Sequence, residues 1–224
     1  MTLIEGWNLR QVRSALAANP KLKHDTAALT DADLAVRLSL PYPSPEGWLY
    51  PDTYHFAPGT SEWSIIERAH RLMAARLQSE WEKRAADVPY AGPYEALIMA
   101  SIVEKETGRA SDRPLIASVF VNRLRVGMKL QTDPTVIYGL GAAFDGNLRK
   151  KDLVTDGPYN TYLRSGLPPT PIAMPGQGAL QAALNPARSG AFYFVARGDG
   201  SSHFSRTLEE HERAVTKYQR TRKP

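Results

Sequence analysis

Tyr94 to Gly108, YEALIMASIVEKETG, reads as an apolar helix with a carboxylate set into its greasy stripe. Successive helical residues turn by ~100°, so Ile98, Met99, Ile102 and Val103 share one face. Glu106, four past Ile102 and three past Val103, continues that face. Glu104 falls nearly opposite, beside Leu97, Ala100 and Ser101. Burial disfavours an ionised carboxylate and raises its pKa. A raised carboxyl pKa suits a general acid near neutral pH. The competing reading is a solvated or salt-bridged helix-end residue, and the motifs on either side weigh against it.

Downstream, Gly108 ends this helix. Asp112 or Ser111 caps the next, with Pro114 in its first turn and Leu115, Ile116, Val119, Phe120 and Leu124 along it. Gly127 stops it. Asp133-Pro134 reads as an N-cap with proline at the first helical position, opening a short helix through Tyr138. Residues 139–175 are loop-rich, and a loop of that length is more often functional than idle. Gln177 to Leu184 is a helix. Phe192 to Ala196 is a strand, turned at Gly198-Asp199-Gly200 toward a partner near Ser202 to Phe204. Thr207 and Glu210 form a capping box for a last helix reaching about Arg220.

Upstream, Thr60 caps a long helix to about Ala86, striped by Ile65, Ile66, Ala69, Leu72, Met73 and Leu77. Before it lies a small α/β unit. Thr2 to Ile4 reads as a strand. Asn8 caps a helix to Ala18 with Leu9, Val12 and Leu16 on one side. Thr30 caps another from Asp31 to Leu38. Gly47 to Tyr50 and Asp52 to Phe56 form a closing strand and turn. The fold class is therefore α+β, with a mainly helical larger part carrying a short hairpin.

Of the 224 residues, 42% are hydrophobic, enough for a real core. The absence of cysteine excludes disulfides, thiolate zinc sites and cysteine nucleophiles. The formal charge of +5 suits an anionic partner. Apart from Lys217 to Lys223 the basic residues are scattered, and no nucleic-acid signature accompanies them. No apolar run reaches the length of a membrane span, and no signal peptide is present. Met1 leads straight into the first strand, which reads as a truncated start with an anchor upstream.

Four segments carry chemistry-bearing residues. They are the Glu104–Glu106 helix end, Gly127 to Pro134, Tyr159 to Tyr162 with Gly166 to Pro171, and Gly198 to Phe204 with Glu210 and His211. His203, Glu210 and His211 match no compact metal-ligand spacing. There is no G-x-S-x-G elbow and no phosphate-binding glycine loop. What remains is a buried acid beside loops rich in Tyr, Asn, Gln and Thr, whose amides, hydroxyls and flat rings suit a sugar polymer.

These segments resemble the endolytic murein transglycosylase (YceG-like) family. The resemblance rests on Glu46 to Tyr54, Ala100 to Thr107, Ala117 to Leu124, Gly127 to Tyr138, Tyr159 to Tyr162, Gly166 to Pro169 and Tyr193 to Phe204. It implies a LysM-like subdomain over residues 1–57 and a catalytic domain over 58–224. It implies cleavage of the β-1,4 bond between N-acetylmuramic acid and N-acetylglucosamine inside peptidoglycan strands, leaving 1,6-anhydro ends, with no metal and no cofactor. The catalytic carboxylate falls in the Ala100 to Thr107 segment. Other lytic transglycosylases place a hydroxyl residue just after it, which favours Glu106-Thr107 and leaves Glu104 as the alternative. Gln131, Asp133, Tyr159, Asn160, Thr161 and Tyr162 are the expected substrate-binding residues. The expected setting is the cell envelope, on the extracytoplasmic face of the inner membrane, with peptidoglycan synthases as partners and no nucleic acid. A muramidase-type hydrolase using Asp133 as second carboxylate, and a non-catalytic peptidoglycan-binding module, are the rival readings.

Overall fold

A computed structural model describes residues 1–220. In the N-terminal unit, helix α1 (Leu9–Ala17) begins at Asn8, whose side chain accepts from the Gln11 amide while the Gln11 side chain accepts from the Asn8 amide. Leu9, Val12 and Leu16, one helical stripe, are buried. Helix α2 (Asp31–Arg37) starts with the same reciprocal box, Thr30 with Asp33. Between the helices, β1 (Leu22–Lys23) pairs in parallel with β2 (Thr60–Ser61).

The two expected strands at the ends of this unit reduce to one antiparallel bridge, Thr2 with Thr53. Leu3 donates to Asp52 O and Tyr54 to Met1 O around it. Pairing stops there because Gly47 turns with φ 80° and the Tyr50 amide turns aside to Ala69 O. The unit's apolar cluster of Leu3, Leu9, Val12, Leu16, Leu34, Leu49 and Tyr54 is completed by Ile65, Ile66 and Ala69.

Those three residues lie on α3 (Glu62–Glu82), which is shorter than expected at both ends. Ser61, not Thr60, is its N-cap: the Ser61 side chain accepts the Ser64 amide, while the Thr60 hydroxyl donates to Ala57 O. At the other end the Ala85 amide leaves the helix for Leu184 O.

Helix α4 (Pro93–Glu106) is the axis of the larger core. The expected one-sided stripe is corrected here: every residue from Ala96 to Val103 is buried. Helices α3, α5 (Arg113–Arg125), α6 (Asp133–Leu140) and α8 (Gln177–Leu184, after a short α7 at Lys150–Val154) all pack on it. Small residues on both sides, Ala96 and Ala100 facing a helix rich in Ala179, Ala182 and Ala183, suit a close approach. Each large side chain fully buried here, such as Leu97, Met99 or Ile102, contributes ~1.5–3 kcal/mol. The one polar residue in the run, Ser101, donates to Ile98 O and accepts the Ile172 amide.

The hairpin forms as expected, β3 (Tyr193–Ala196) antiparallel to β4 (Ser202–Ser205). The capping box of Thr207 and Glu210 opens α9 (Leu208–Val215), and a π-helical turn carries the chain through Arg220. The end of the basic tail, residues 221–223, lies outside the described residues.

Candidate active site

The C-terminal end of α4 presents Glu104 and Glu106 on opposite flanks, in different environments. Glu104 is held by α5 and α8: Arg113 Nη2 donates to Oε1 at 3.3 Å, and the Gly176 amide at the start of α8 donates to Oε2 at 3.0 Å. Burial raises its pKa, while the Gly176 amide and Arg113 pull it down. A helix N-terminus and a guanidinium are the partners of a structural carboxylate. Glu104→Ala should therefore cost about 1–3 kcal/mol, leaving the Gly176 amide without its acceptor and Arg113 with only the more distant Glu5 at 4.0 Å. The rate per folded molecule should persist, measurable by pairing denaturant unfolding with activity per folded fraction.

Glu106 lies on the other flank, in a cleft of about 500 Å³. Arg123, Gln131, Thr132, Asp133, Tyr162 and Tyr193 line the cleft with it. Burial drives its carboxyl up to about 7, and the nearby Asp133 charge pushes the same way. The Thr132 hydroxyl and Arg123 oppose them. Its place at the helix C-terminus adds the negative end of the dipole, which also disfavours a second negative charge.

Thr132 donates its hydroxyl to Glu106 Oε1. It is also the residue before α6, so the expected cap at Asp133 is corrected by one position. A threonine there ordinarily caps its own helix. Here it makes no side-chain cap, its hydroxyl being turned to Glu106. Asp133 is the first helical residue instead, and accepts from the Tyr162 hydroxyl at 2.5 Å.

The structure separates the other expected substrate residues. Gln131, Asp133 and Tyr162 line the Glu106 cleft. Gln131 holds φ 50°, an uncommon backbone for a residue with a side chain. Its amide donates to Thr161 O and that of Thr132 to Thr161 Oγ1, both at 3.1 Å. Thr161 also contacts Thr135 Oγ1 at 2.9 Å. Asn160 Nδ2 donates to the carbonyls of Asp152, Leu153 and Thr155, and its Oδ1 accepts the Tyr162 amide. Asn160 and Thr161, expected among the substrate-binding residues, are buried, 4% and 2% exposed, and their polar atoms brace the loop that carries Gln131 and Thr132. Tyr159 lines a neighbouring cleft of about 750 Å³, against Tyr138, with its hydroxyl 2.8 Å from Thr170 Oγ1.

Three cleft residues are not among the expected site residues, His211 being weighed only as a metal ligand. Arg123 sits four past Val119 and three past Phe120 on the apolar stripe of α5, the same signal that marks Glu106. Tyr193 and His211 arrive from the hairpin and α9 and stack on each other, a pairing no local pattern announces. Glu210 is spent on the Arg206 and Thr207 amides.

A helical domain holding one enclosed acid at the floor of a polar, tyrosine-lined cleft matches one family model. That model, described as the YceG-like family, covers residues 1–217, and the chain belongs to this family. It is 38% identical, over 97% of its own length, to the endolytic murein transglycosylase of Bacillus subtilis, of which it spans 64%. It is 32% identical to an endolytic murein transglycosylase of Streptococcus pneumoniae over 77% of this chain and 32% of that relative. The crystal structure of a YceG-like protein of Listeria monocytogenes superposes with a TM-score of 0.80 at 37% identity, covering 95% of this chain and 75% of the other.

Proposed function

We propose that this chain is an endolytic lytic transglycosylase of peptidoglycan, with Glu106 as its single acid and base. The observation that carries this reading is a carboxyl held near neutral pH at the floor of an open cleft. The names of the Bacillus and Streptococcus relatives support the substrate class.

Protonated Glu106 gives its proton to the glycosidic oxygen between N-acetylmuramic acid and N-acetylglucosamine. The C1–O bond breaks, and the departing sugar keeps that proton as its 4-hydroxyl. The muramoyl O6 then bonds to C1, and its proton passes to the Glu106 carboxylate. A 1,6-anhydro ring is formed, Glu106 is restored and no water is consumed. Gln131 and Tyr162 are the residues we assign to sugar hydroxyls and ring faces. Asn160 and Thr161 support them from behind, and Tyr159 serves the neighbouring cleft.

Residues 1–57 form the LysM-like subdomain of this proposal. Helices α1 and α2 between chain ends that meet antiparallel at Thr2 and Thr53 support it. Residues 58–224 form the catalytic domain. The site of action is the extracytoplasmic side of the envelope, with peptidoglycan synthases as partners. Among the described residues no helix is long and apolar enough to cross a membrane.

The rival is a hydrolase in which Asp133, lining the same cleft, directs water to C1. Mass spectrometry of fragments from purified strands separates the two. Anhydro ends, lighter by one water, support the transglycosylase; reducing ends support the hydrolase. The pH profile is a second check. Glu106 must start protonated, so kcat/KM is expected to fall as pH rises through about 7. A rate that climbs through that window would overturn the acid role.

A further inference from the structure

We propose that Arg123 is a positioning residue for Glu106: its fixed charge in the cleft wall stabilises the carboxylate that forms once the proton has been given. This rests on the reading of Glu106 as the acid.

Arg123 is only 7% exposed, an unusual address for a guanidinium. Its hydrogen bonds among the described residues go to carbonyls, Nε to Phe192 O at 2.8 Å and Nη1 to Leu130 O at 2.5 Å. Its guanidinium carbon lies 5.4 Å from the centre of the Tyr193 ring. The charge is thus anchored by neutral groups rather than cancelled by a carboxylate in an ion pair. Backbone carbonyls and a ring face fix a cation in place without neutralising its field.

The groups around Glu106 show where that field acts. From α6 comes Asp133, from the loop before residue 163 Tyr162, from β3 Tyr193 and from α9 His211. Its own helix carries Glu104 and Lys105 nearby in sequence. Among the described residues that line the cleft, Arg123 is the only arginine or lysine. Burial and Asp133 both favour the protonated form of Glu106, and Arg123 acts against them. Without an opposing cation the acid would give its proton reluctantly. With one, both protonation states stay within reach, as a group that is acid and then base requires.

The same anchors tie Leu130, beside the Gln131–Thr132 loop, to Phe192 at the start of the hairpin. A purely structural clamp is therefore the competing explanation, and the experiment must tell them apart. Arg123→Met and Arg123→Lys would be compared with wild type by carbon-13 titration of the Glu106 carboxyl and by the pH profile of strand cleavage. In Arg123→Met the Glu106 midpoint and the alkaline limb should both move up by about one pH unit. Arg123→Lys, which keeps the charge and loses the forked anchor, should stay close to wild type in titration while unfolding more easily. If Arg123→Met does not fold, the Lys variant decides: a Glu106 midpoint about one pH unit above that of wild type overturns the proposal. So does an unshifted midpoint in a folded Met variant, whatever its activity. The titration reads Glu106 directly, so failure of its catalytic role, seen as an active Glu106→Gln protein, is distinguishable from failure of this coupling.

Discussion

Glu106→Gln is expected to lose strand cleavage by ~100-fold or more while becoming the more stable protein above neutral pH. The two effects share one cause. The carboxyl has a reference pKa of 4.5 and is raised to about 7 in the fold, chiefly by burial. The folded state therefore binds more protons than the unfolded chain between those values. The sign follows from linkage: stability from this group is complete below the unfolded pKa and is lost as pH rises through the folded one, up to ~3 kcal/mol. Glutamine cannot ionise, so the variant escapes that loss. Urea unfolding of both proteins at about pH 5 and about pH 8 should give similar stabilities at the lower pH and favour the variant at the higher. Glu46, also raised to about 7 by burial, produces the same trend in both proteins and cancels in the difference. An equally stable variant at the higher pH would mean Glu106 is not desolvated. A variant as active as wild type would remove it from the mechanism.

Gly47→Ala should destabilise the protein by about 2–4 kcal/mol without touching the cleft. Gly47 holds φ 80°, and a methyl group there would stand 2.4 Å from Pro171 Cβ and 2.6 Å from its Cγ. A proline ring cannot swing aside as a long side chain does. The neighbouring Glu46 accepts the Leu9 amide at the head of α1 and the Tyr138 hydroxyl at 3.0 Å. Displacing this turn therefore loosens the N-terminal unit from α6. Gly59→Ala is the control: φ is 83° but a methyl would meet nothing, so only the left-handed backbone penalty of ~1–2 kcal/mol remains. Equal losses in the two variants would show that Pro171 yields, and would sink the argument from crowding.

Much of the helical framework was legible because its signals are local. Asn8, Thr30 and Thr207 each announce a helix start through a side chain that reaches three residues along the chain. Gly198 to Gly200 announces the hairpin in the same way. The desolvated setting of Glu106 was legible for a related reason, a charge at a helical spacing reserved for apolar groups. What escaped depends on partners distant in sequence. That α4 is enclosed on every side follows from four helices converging on it, which one segment's periodicity cannot reveal. That Asn160 and Thr161 bind the loop's own carbonyls and amides depends on the folded course of the loop, which their sequence does not announce. The start of α6 was misread by one residue because the hydroxyl that would mark it is engaged 26 positions upstream. Glu46 passed as part of a motif, since nothing near it in sequence hints at the Leu9 amide or Tyr138.

The hydroxyl that α6 gives up has one more effect. By donating to Oε1 of Glu106, Thr132 fills that oxygen with a hydrogen bond and leaves Oε2 to carry the acidic proton. A free carboxylic acid has two interchangeable oxygens and can release its proton along several lobes. Here the two oxygens are made unequal before any substrate arrives. If Glu106 is the acid proposed above, its proton would be loaded on one atom and leave in one direction, so that the face of the sugar receiving it would be set by a threonine on the other side of the carboxyl.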